Sequence, residues 1–310
     1  MKLAILNSAM PAKDTEVFCL GESMALVAPV EAEPLEFAES FTLGVGGAES
    51  TVALYLAEQG HAAEWVSQVG DDPLGRRMLR TLNQHDVGTS HVAVVENAPT
   101  GVYFKDPQPG GTKVHYYRTG SAASKMTADV VNSLPLEDAR LMHVSGITAA
   151  LSTSCRELLS VVFDRSADAG TLVSFDVNYR PGLWPVDEAA PVLLDLARRA
   201  DVVFVGRDEA EVLWGTTDAA SVAEYIAGRG TVVVKDNDVG ATEIAGGASV
   251  FEPAETVEVV EPVGAGDAFA AGYLSALLRG RPSRGRLLNG HRLAARALGS
   301  VSDFVPAGGR

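Results

Sequence analysis

The four residues Gly264-Ala265-Gly266-Asp267 are where this sequence could do chemistry. Without a Cβ, the two glycines let the backbone turn left-handed and let a ligand come close. Asp267 opens an apolar-periodic run that predicts a helix over 267–279. The N–H groups of a helix's first turn have no intrahelical partner and carry the positive end of the dipole, so they hold anions. A carboxylate there repels such an anion unless it has a task. Phosphoryl transfer supplies one: the carboxylate takes the proton of an attacking hydroxyl while the N–H groups hold developing charge. The plain alternative is an ordinary capped helix start after a glycine turn. The stretch is neither the G-x-x-x-x-G-K-[ST] loop nor a protein-kinase loop. GVGGAE at 44–49 lacks the glycine spacing of a dinucleotide site.

Something must position that loop. Residues 16–20, 64–70, 141–146, 171–178, 201–206 and 231–236 read as strands. Helical periodicity covers 48–60, 73–84, 152–168, 187–200, 208–214, 218–228 and 283–298. Gly60 suits a helix end, and Pro73 suits a helix start capped by Asp71 or Asp72. Near-continuous apolar strands such as VVFV and TVVV suit a mostly parallel sheet buried on both faces. Residues 90–118 instead hold three short β-rich runs without a helix, and 35–45 has the same character. A hairpin is expected within 240–259. The expectation is one α/β domain over 1–310. It has three layers, a central mostly parallel sheet and a small β-sheet lid from about 24–45 and 90–120.

Composition narrows the function. Apolar residues are 46% and charged residues 21%, which is globular rather than disordered. With 25 Lys and Arg against 40 Asp and Glu, the net charge is −15, which repels a nucleic-acid backbone. No apolar run is long enough to span a membrane. The opening MKLAILNSAMPAKDTE turns polar too soon for a signal peptide. Two cysteines, Cys19 and Cys155, sit in apolar stretches and read as buried thiols, which fits a cytoplasmic protein.

Four blocks together resemble the ribokinase-like (PfkB) carbohydrate kinases, from about Val17 to Pro306. LGVGGAESTVALYLAEQG at 43–60 is similar to that family's first signature, with a Gly46-Gly47 turn against the sugar. VSQVGDDPLGRRM at 66–78 and DVNYRPGLW at 176–184 resemble its next blocks, and EPVGAGDAFAAGYLSALL at 261–278 its second signature. The resemblance implies a ribokinase-like fold using ATP and Mg2+. Asp267 would be the general base, and the N–H groups of Ala265, Gly266 and Asp267, after Gly264, would form the anion hole. Glu261-Pro262 stands where the family begins Asp-Thr, near the site that in some members takes a monovalent cation such as K+. The family's Asn-x-x-Glu glutamate, which organises magnesium-bound water, maps to Glu209, with Gly206 at the Asn position and Glu211 as a rival. Lys235 would face the nucleotide phosphates, and Asn289 would join the nucleotide contacts. After Lys235, Asp236-Asn237-Asp238 replaces the usual glycine turn, bringing negative charge near ATP.

Within the family, the closest resemblance is to the 2-keto-3-deoxygluconate kinases. The residues carried over are Gly46, Tyr103, Tyr116, Arg118 and Arg180. Either tyrosine could equally be sheet packing. Arg118 follows Tyr116 by two and shares its side of a strand, while Arg180 comes from another strand end. Two arginines converging on one pocket suit a sugar carboxylate. Other expectations stay open: the galactonate epimer, 5-dehydro-2-deoxygluconate, fructose, or a non-catalytic sugar-binding protein on the same fold. A lid with open strand edges also suits pairing with a second copy.

Overall fold

Strand β1 (Val17–Leu20) is apolar at all its positions and fully buried. That is the pattern of a strand covered on both faces. Its alternation sorts the core into two: Phe18 and Leu20 join one cluster, Val17 and Cys19 the other. The computed structural model describes residues 15–228, 230–300 and 302–307. Most of the polar opening segment lies outside them.

Beside β1 run β4 (Ala63–Gly70), β8 (Leu141–Ser145), β9 (Leu172–Asp176), β10 (Val202–Gly206) and β11 (Thr231–Asp236), all in parallel register. One edge ends in the antiparallel hairpin β12 (Gly240–Ala245) and β13 (Ala248–Pro253), as the turn-rich run predicts. The other edge is β5 (Val92–Val95), parallel to β4. The full order is β13-β12-β11-β10-β9-β8-β1-β4-β5.

Helices α1 (Ala48–Glu58), α2 (Pro73–Gln84), α9 (Ala265–Leu278) and α10 (Ser283–Leu298) bury apolar side chains against the Val17 and Cys19 face. The opposite face takes α3 (Asp129–Asn132), α4 (Gly146–Leu151), α5 (Thr153–Ala169), α6 (Val186–Arg199), α7 (Arg207–Trp214) and α8 (Ala219–Ile226). Asp72 caps α2 by accepting the Gly75 N–H at 2.8 Å, and its other oxygen accepts the Thr100 N–H at 2.8 Å. The same carboxylate therefore starts a helix and pins the entry to the lid. Both cysteines are buried free thiols, as expected. No helix among the described residues is long and apolar enough to cross a membrane.

The lid is a separate four-stranded sheet of β2 (Met24–Pro29), β3 (Phe41–Gly46), β6 (Val102–Gln108) and β7 (Gly111–Tyr117), in the order β3-β2-β6-β7. The expected lid boundary of about 90 needs correction. Residues 92–95 are a short β-rich run like those of the lid, but they complete the main sheet, because the edge of β4 offers parallel partners to them. Met24, Leu26, Ala28 and Tyr103 form the lid's own small core.

Candidate active site

Parallel strands all end on one edge of the sheet, and the charged residues collect there. Gly264 takes φ +88°, a left-handed conformation, and starts α9 at Ala265. The helix thus begins two residues before the expected start, placing Asp267 inside the first turn with the first-turn N–H groups of Gly266 and Asp267 lacking an intrahelical acceptor. A Cβ on Gly264 would come within 3.0–3.2 Å of Asp303, so only glycine suits both the angle and the space. Burial pushes the Asp267 carboxyl up to about 7; Asp176 and Asp303 push the same way, while Arg180 and Lys235 oppose them. A carboxyl poised near neutrality can both accept and release a proton.

Around Asp267 stand the ends of β9, β10 and β11. Lys235 donates to Asp176 Oδ2 at 2.8 Å and stands 3.5 Å from the space beside Gly266. Its proximity to the glycine loop fits the expected phosphate-facing role, with Asp176 as the partner that holds it. Burial favours the neutral amine, but the Asp176 and Glu209 carboxylates more than reverse this, so Lys235 is held cationic. Asp176 Oδ1 is buried with no hydrogen-bond partner among the described residues. Glu209 accepts the N–H groups of Tyr179 at 3.0 Å and Gly206 at 2.8 Å, so it caps α7 and fixes the turn after β9. Burial raises its carboxyl's pKa, with Lys235 opposing. Glu211, the rival, is exposed and pairs with Arg207 at 2.9 Å on the outer helix face. Arg180 lies 3.9 Å from Glu209 with a half-exposed guanidinium. Its only hydrogen bond among the described residues is to its neighbour's carbonyl, Tyr179 O, at 3.2 Å.

The lid brings Tyr103 and Tyr116 together as cross-strand partners, with ring centroids 5.8 Å apart. Tyr103 is buried and Tyr116 half exposed. Arg118 lies over the Tyr116 ring at 5.8 Å, confirming the shared side. Of the two arginines expected to converge on one pocket, Arg118 is already paired: its Nε donates to buried Glu22 at 2.6 Å, and Ser121 also donates to that carboxylate. A carboxylate with no exposure must be paired, so Glu22 claims Arg118 and leaves Arg180 as the outward guanidinium. Gly46 ends β3 under Tyr103, and a Cβ there would lie 2.0 Å from the Tyr103 hydroxyl. At Gly47, a Cβ would lie 2.6 Å from the Glu22 carbonyl oxygen.

Three other expectations meet different partners. Asn289 donates to Gly272 O at 2.7 Å, so its amide ties α10 to α9. Glu261 is buried and turns back to accept the Val263 N–H at 3.3 Å. Asp236 accepts from Arg207 Nε at 2.8 Å, while Asn237 takes φ +43° as a turn residue should. The acidity of that turn is therefore partly cancelled by an arginine on α7.

Sequence reasoning missed Asp176, Asp303, Lys105, Glu22 and Glu49. Asp303 accepts the Tyr103 hydroxyl at 2.8 Å and the Lys105 ammonium at 2.9 Å. Glu49 is wholly buried, accepts from Ser145 at 2.6 Å and Thr148 at 3.1 Å, and burial pushes its carboxyl up to about 6. Four of the five carried one usable signal, a charged residue inside an apolar run or at a strand end. Asp303 had none.

Known proteins match this arrangement along nearly the whole chain. The family model for pfkB family carbohydrate kinases matches residues 14–304. A 2-dehydro-3-deoxygluconokinase of Bacillus subtilis is 36% identical, covering 92% of this chain and 90% of its own. A 2-dehydro-3-deoxygalactonokinase of Haloferax volcanii is 35% identical, covering 90% of each. Among solved structures, a PfkB protein from Polaromonas sp. JS666 superposes with a TM-score of 0.86 at 34% identity, covering 93% of this chain and 97% of that one. With the glycine loop, its carboxylate and the lid all in place, the chain belongs to the pfkB family of carbohydrate kinases.

Proposed function

We propose that this kinase transfers the γ-phosphoryl group of ATP to the 6-hydroxyl of 2-dehydro-3-deoxy-D-gluconate, giving 2-dehydro-3-deoxy-6-phospho-D-gluconate and ADP. The observation that carries the reading is Asp267 in the first turn of α9, with its carboxyl near 7 and Arg180 acting on it electrostatically. Asp267 takes the hydroxyl proton, the sugar oxygen bonds to the γ-phosphorus, and the bond to the β–γ bridging oxygen breaks. First-turn N–H groups and Lys235 stabilise the charge that develops. Arg180 presents a guanidinium fork to the sugar's carboxylate. The lid excludes water, which limits idle ATP hydrolysis.

Magnesium carried by ATP fits the donor set, since Asp176 keeps a buried oxygen without a partner beside Glu209. Those two residues would hold it through water, where it would offset phosphate charge. Glu261 folds back on its own loop, and no step here uses a monovalent cation. The outward lid face exposes Phe41 and Tyr117, which a second copy of the chain would cover; scattering that shows only monomer at assay concentration removes that idea. Use of ATP and two buried free thiols favour the cytoplasm.

The galactonate epimer is the second reading, favoured by the Haloferax relative's name. A coupled ADP assay over both epimers, 5-dehydro-2-deoxygluconate and fructose decides. Turnover should be highest on the gluconate-derived acid and low on fructose. Preference for a neutral sugar removes the carboxylate assignment, and no sugar-dependent ADP removes the kinase reading.

A further inference from the structure

Behind α1, three polar side chains lie buried on one face of the main sheet, and no step of the phosphoryl transfer uses them. Glu49 Oε2, Ser67 Oγ and Trp65 Nε1 belong to residues no more than 1% exposed, and none of these atoms has a hydrogen-bond partner among the described residues. Buried polar groups are almost always satisfied, so three on one face point to a shared partner. Strand register brings them together. The Gly21 N–H donates to Val66 O at 3.3 Å, which continues the β1–β4 pairing by one step and sets Gly21 beside Ser67. Cys19 and Trp65 join the same core cluster, so alternation turns Trp65, Ser67 and the open side of Gly21 toward α1. A Cβ on Gly21 would lie 2.1–2.5 Å from the three atoms of the Glu49 carboxyl, which fills the space that a side chain there would take. Toward β8, Oε1 accepts the Ser145 and Thr148 hydroxyls at 2.6 and 3.1 Å. Oε2 remains for the β4 side, where Ser67 stands one strand spacing away, about 4.8 Å. Trp65 is one pleat further down β4, about 6.6 Å, which an indole ring can reach.

We propose that Glu49, Ser67 and Trp65 enclose one buried water molecule, and that Glu49 is a positioning residue acting through it to tie the roots of the lid to strand β4. One bridging water spans about 5–6 Å between two polar atoms, which suits the strand spacing here. The Trp65 N–H can only donate, so the shared partner must accept, which a metal ion cannot do. An anion is repelled by the carboxyl once that ionises. Water accepts from Trp65 and donates to Glu49 or Ser67, and it serves the carboxyl in either protonation state. The place of the carboxyl gives the water its consequence. At Gly21 the chain leaves the body for β2, and it returns from β3 through Gly46-Gly47 into α1. A Cβ on Gly47 would lie 2.6 Å from both the Glu22 carbonyl oxygen and Ser23 Oγ, so these two roots of the lid touch. Glu49, in the first turn of α1, packs on Gly21 from the helix that the second root begins. The positioning role rests on the reading that the sugar binds against the Gly46-Gly47 turn.

A high-resolution crystal structure of the unaltered kinase tests the site directly. It should show one water about 2.6–3.2 Å from Glu49 Oε2, Ser67 Oγ and Trp65 Nε1. A dry site, a direct Glu49–Ser67 hydrogen bond, or density that refines as a metal ion overturns the proposal. Steady-state kinetics test the consequence. Ser67→Ala removes one partner of the water and should raise KM for the sugar acid about 2–12-fold, the worth of one hydrogen bond, with kcat and KM for ATP unmoved. Glu49→Ala should raise it further. Glu49→Gln should keep KM near that of the unaltered kinase, because its amide oxygen serves Ser145 and Thr148 while its NH2 donates to the water. A lower melting temperature in Ser67→Ala with an unchanged sugar KM marks a merely structural water and overturns the positioning role. A loss in Glu49→Gln as large as in Glu49→Ala overturns it too. Should Glu49→Ala fail to fold, Ser67→Ala and Glu49→Gln decide. If the kinase prefers another sugar, the substrate reading falls, KM for that sugar is measured instead, and the crystallographic test is unaffected.

Discussion

Replacing Asp267 with Asn should slow the kinase and stabilise it, and the two effects share one cause. The carboxyl has a folded-state pKa near 7 against an ordinary 3.8. Between those values the folded protein holds a proton that the unfolded chain has released, so stability falls as pH rises through that window and stays lower above it. The full shift corresponds to at most about 4 kcal/mol, and partial solvent contact leaves a fraction of that. Against it stands the loss of a charge at a helix N-terminus, about 0.3–1 kcal/mol. The desolvation effect is the larger, so Asp267→Asn should melt a few degrees higher at about pH 8 and show little gain at about pH 4. Turnover should fall about 10²–10⁴-fold, the usual worth of a general base. In the unaltered kinase, kcat/KM should rise about tenfold between about pH 6 and about pH 8, because the ionised fraction of a group at 7 goes from roughly one tenth to nine tenths. Thermal melts at both pH values and a coupled ADP assay measure all three. A stability gain that is independent of pH, or a flat rate profile over that interval, refutes the assignment of Asp267 as a desolvated base.

Two further outcomes follow from the charges around it. Arg180→Ala removes a half-exposed guanidinium and should weaken use of the sugar acid about 10–100-fold, from one charge-assisted contact of about 1.5–3 kcal/mol, while neutral sugars change little. Since Arg180 also lowers the Asp267 pKa, the variant's rate profile should move to higher pH, and an unmoved profile would place Arg180 too far to matter. Replacing Asp236 with Ser and Asp238 with Gly should tighten ATP by only about two- to fivefold, most at limiting magnesium, because Arg207 already offsets Asp236. An ATP dissociation constant unchanged across a magnesium titration leaves that turn with a shape role only.

The main sheet was legible because its strands carry their burial in their composition. VFCL, LVSFD and VVFVG are near-continuous apolar runs, and each is a buried parallel strand. Helix bounds were legible where a local signal ends them, as with α10, predicted and found at 283–298. The start of α9 was misplaced by two residues because the determinant is the left-handed angle of Gly264, which period counting does not register. Residues 92–95 were misassigned for a different reason. A short β-rich run fits a lid or a sheet edge equally, and only the partner across the sheet decides.

The site divides along the same physical line. Asp267 announced itself because the glycine turn, the carboxylate and the helix are consecutive, so their chemistry is local. Arg118 shows the opposite case. Its residue type suits a sugar carboxylate, but the carboxylate that neutralises it is Glu22, in the turn between β1 and β2 and far away in sequence. Charge at a site is a sum over neighbours in space, and desolvation multiplies each term of it. That is why the pairing of Lys235 with Asp176, and of Lys105 with Asp303, could not be read from spacing, although each decides what its lysine can do. The balance at Asp267 depends on four such distant groups, Asp176, Arg180, Lys235 and Asp303, supplied by the end of β9 and the turn after it, the end of β11 and the C-terminal segment. A carboxyl near neutrality is thus a property of the assembled edge of the sheet, while its sequence signature marks only where that property will be used.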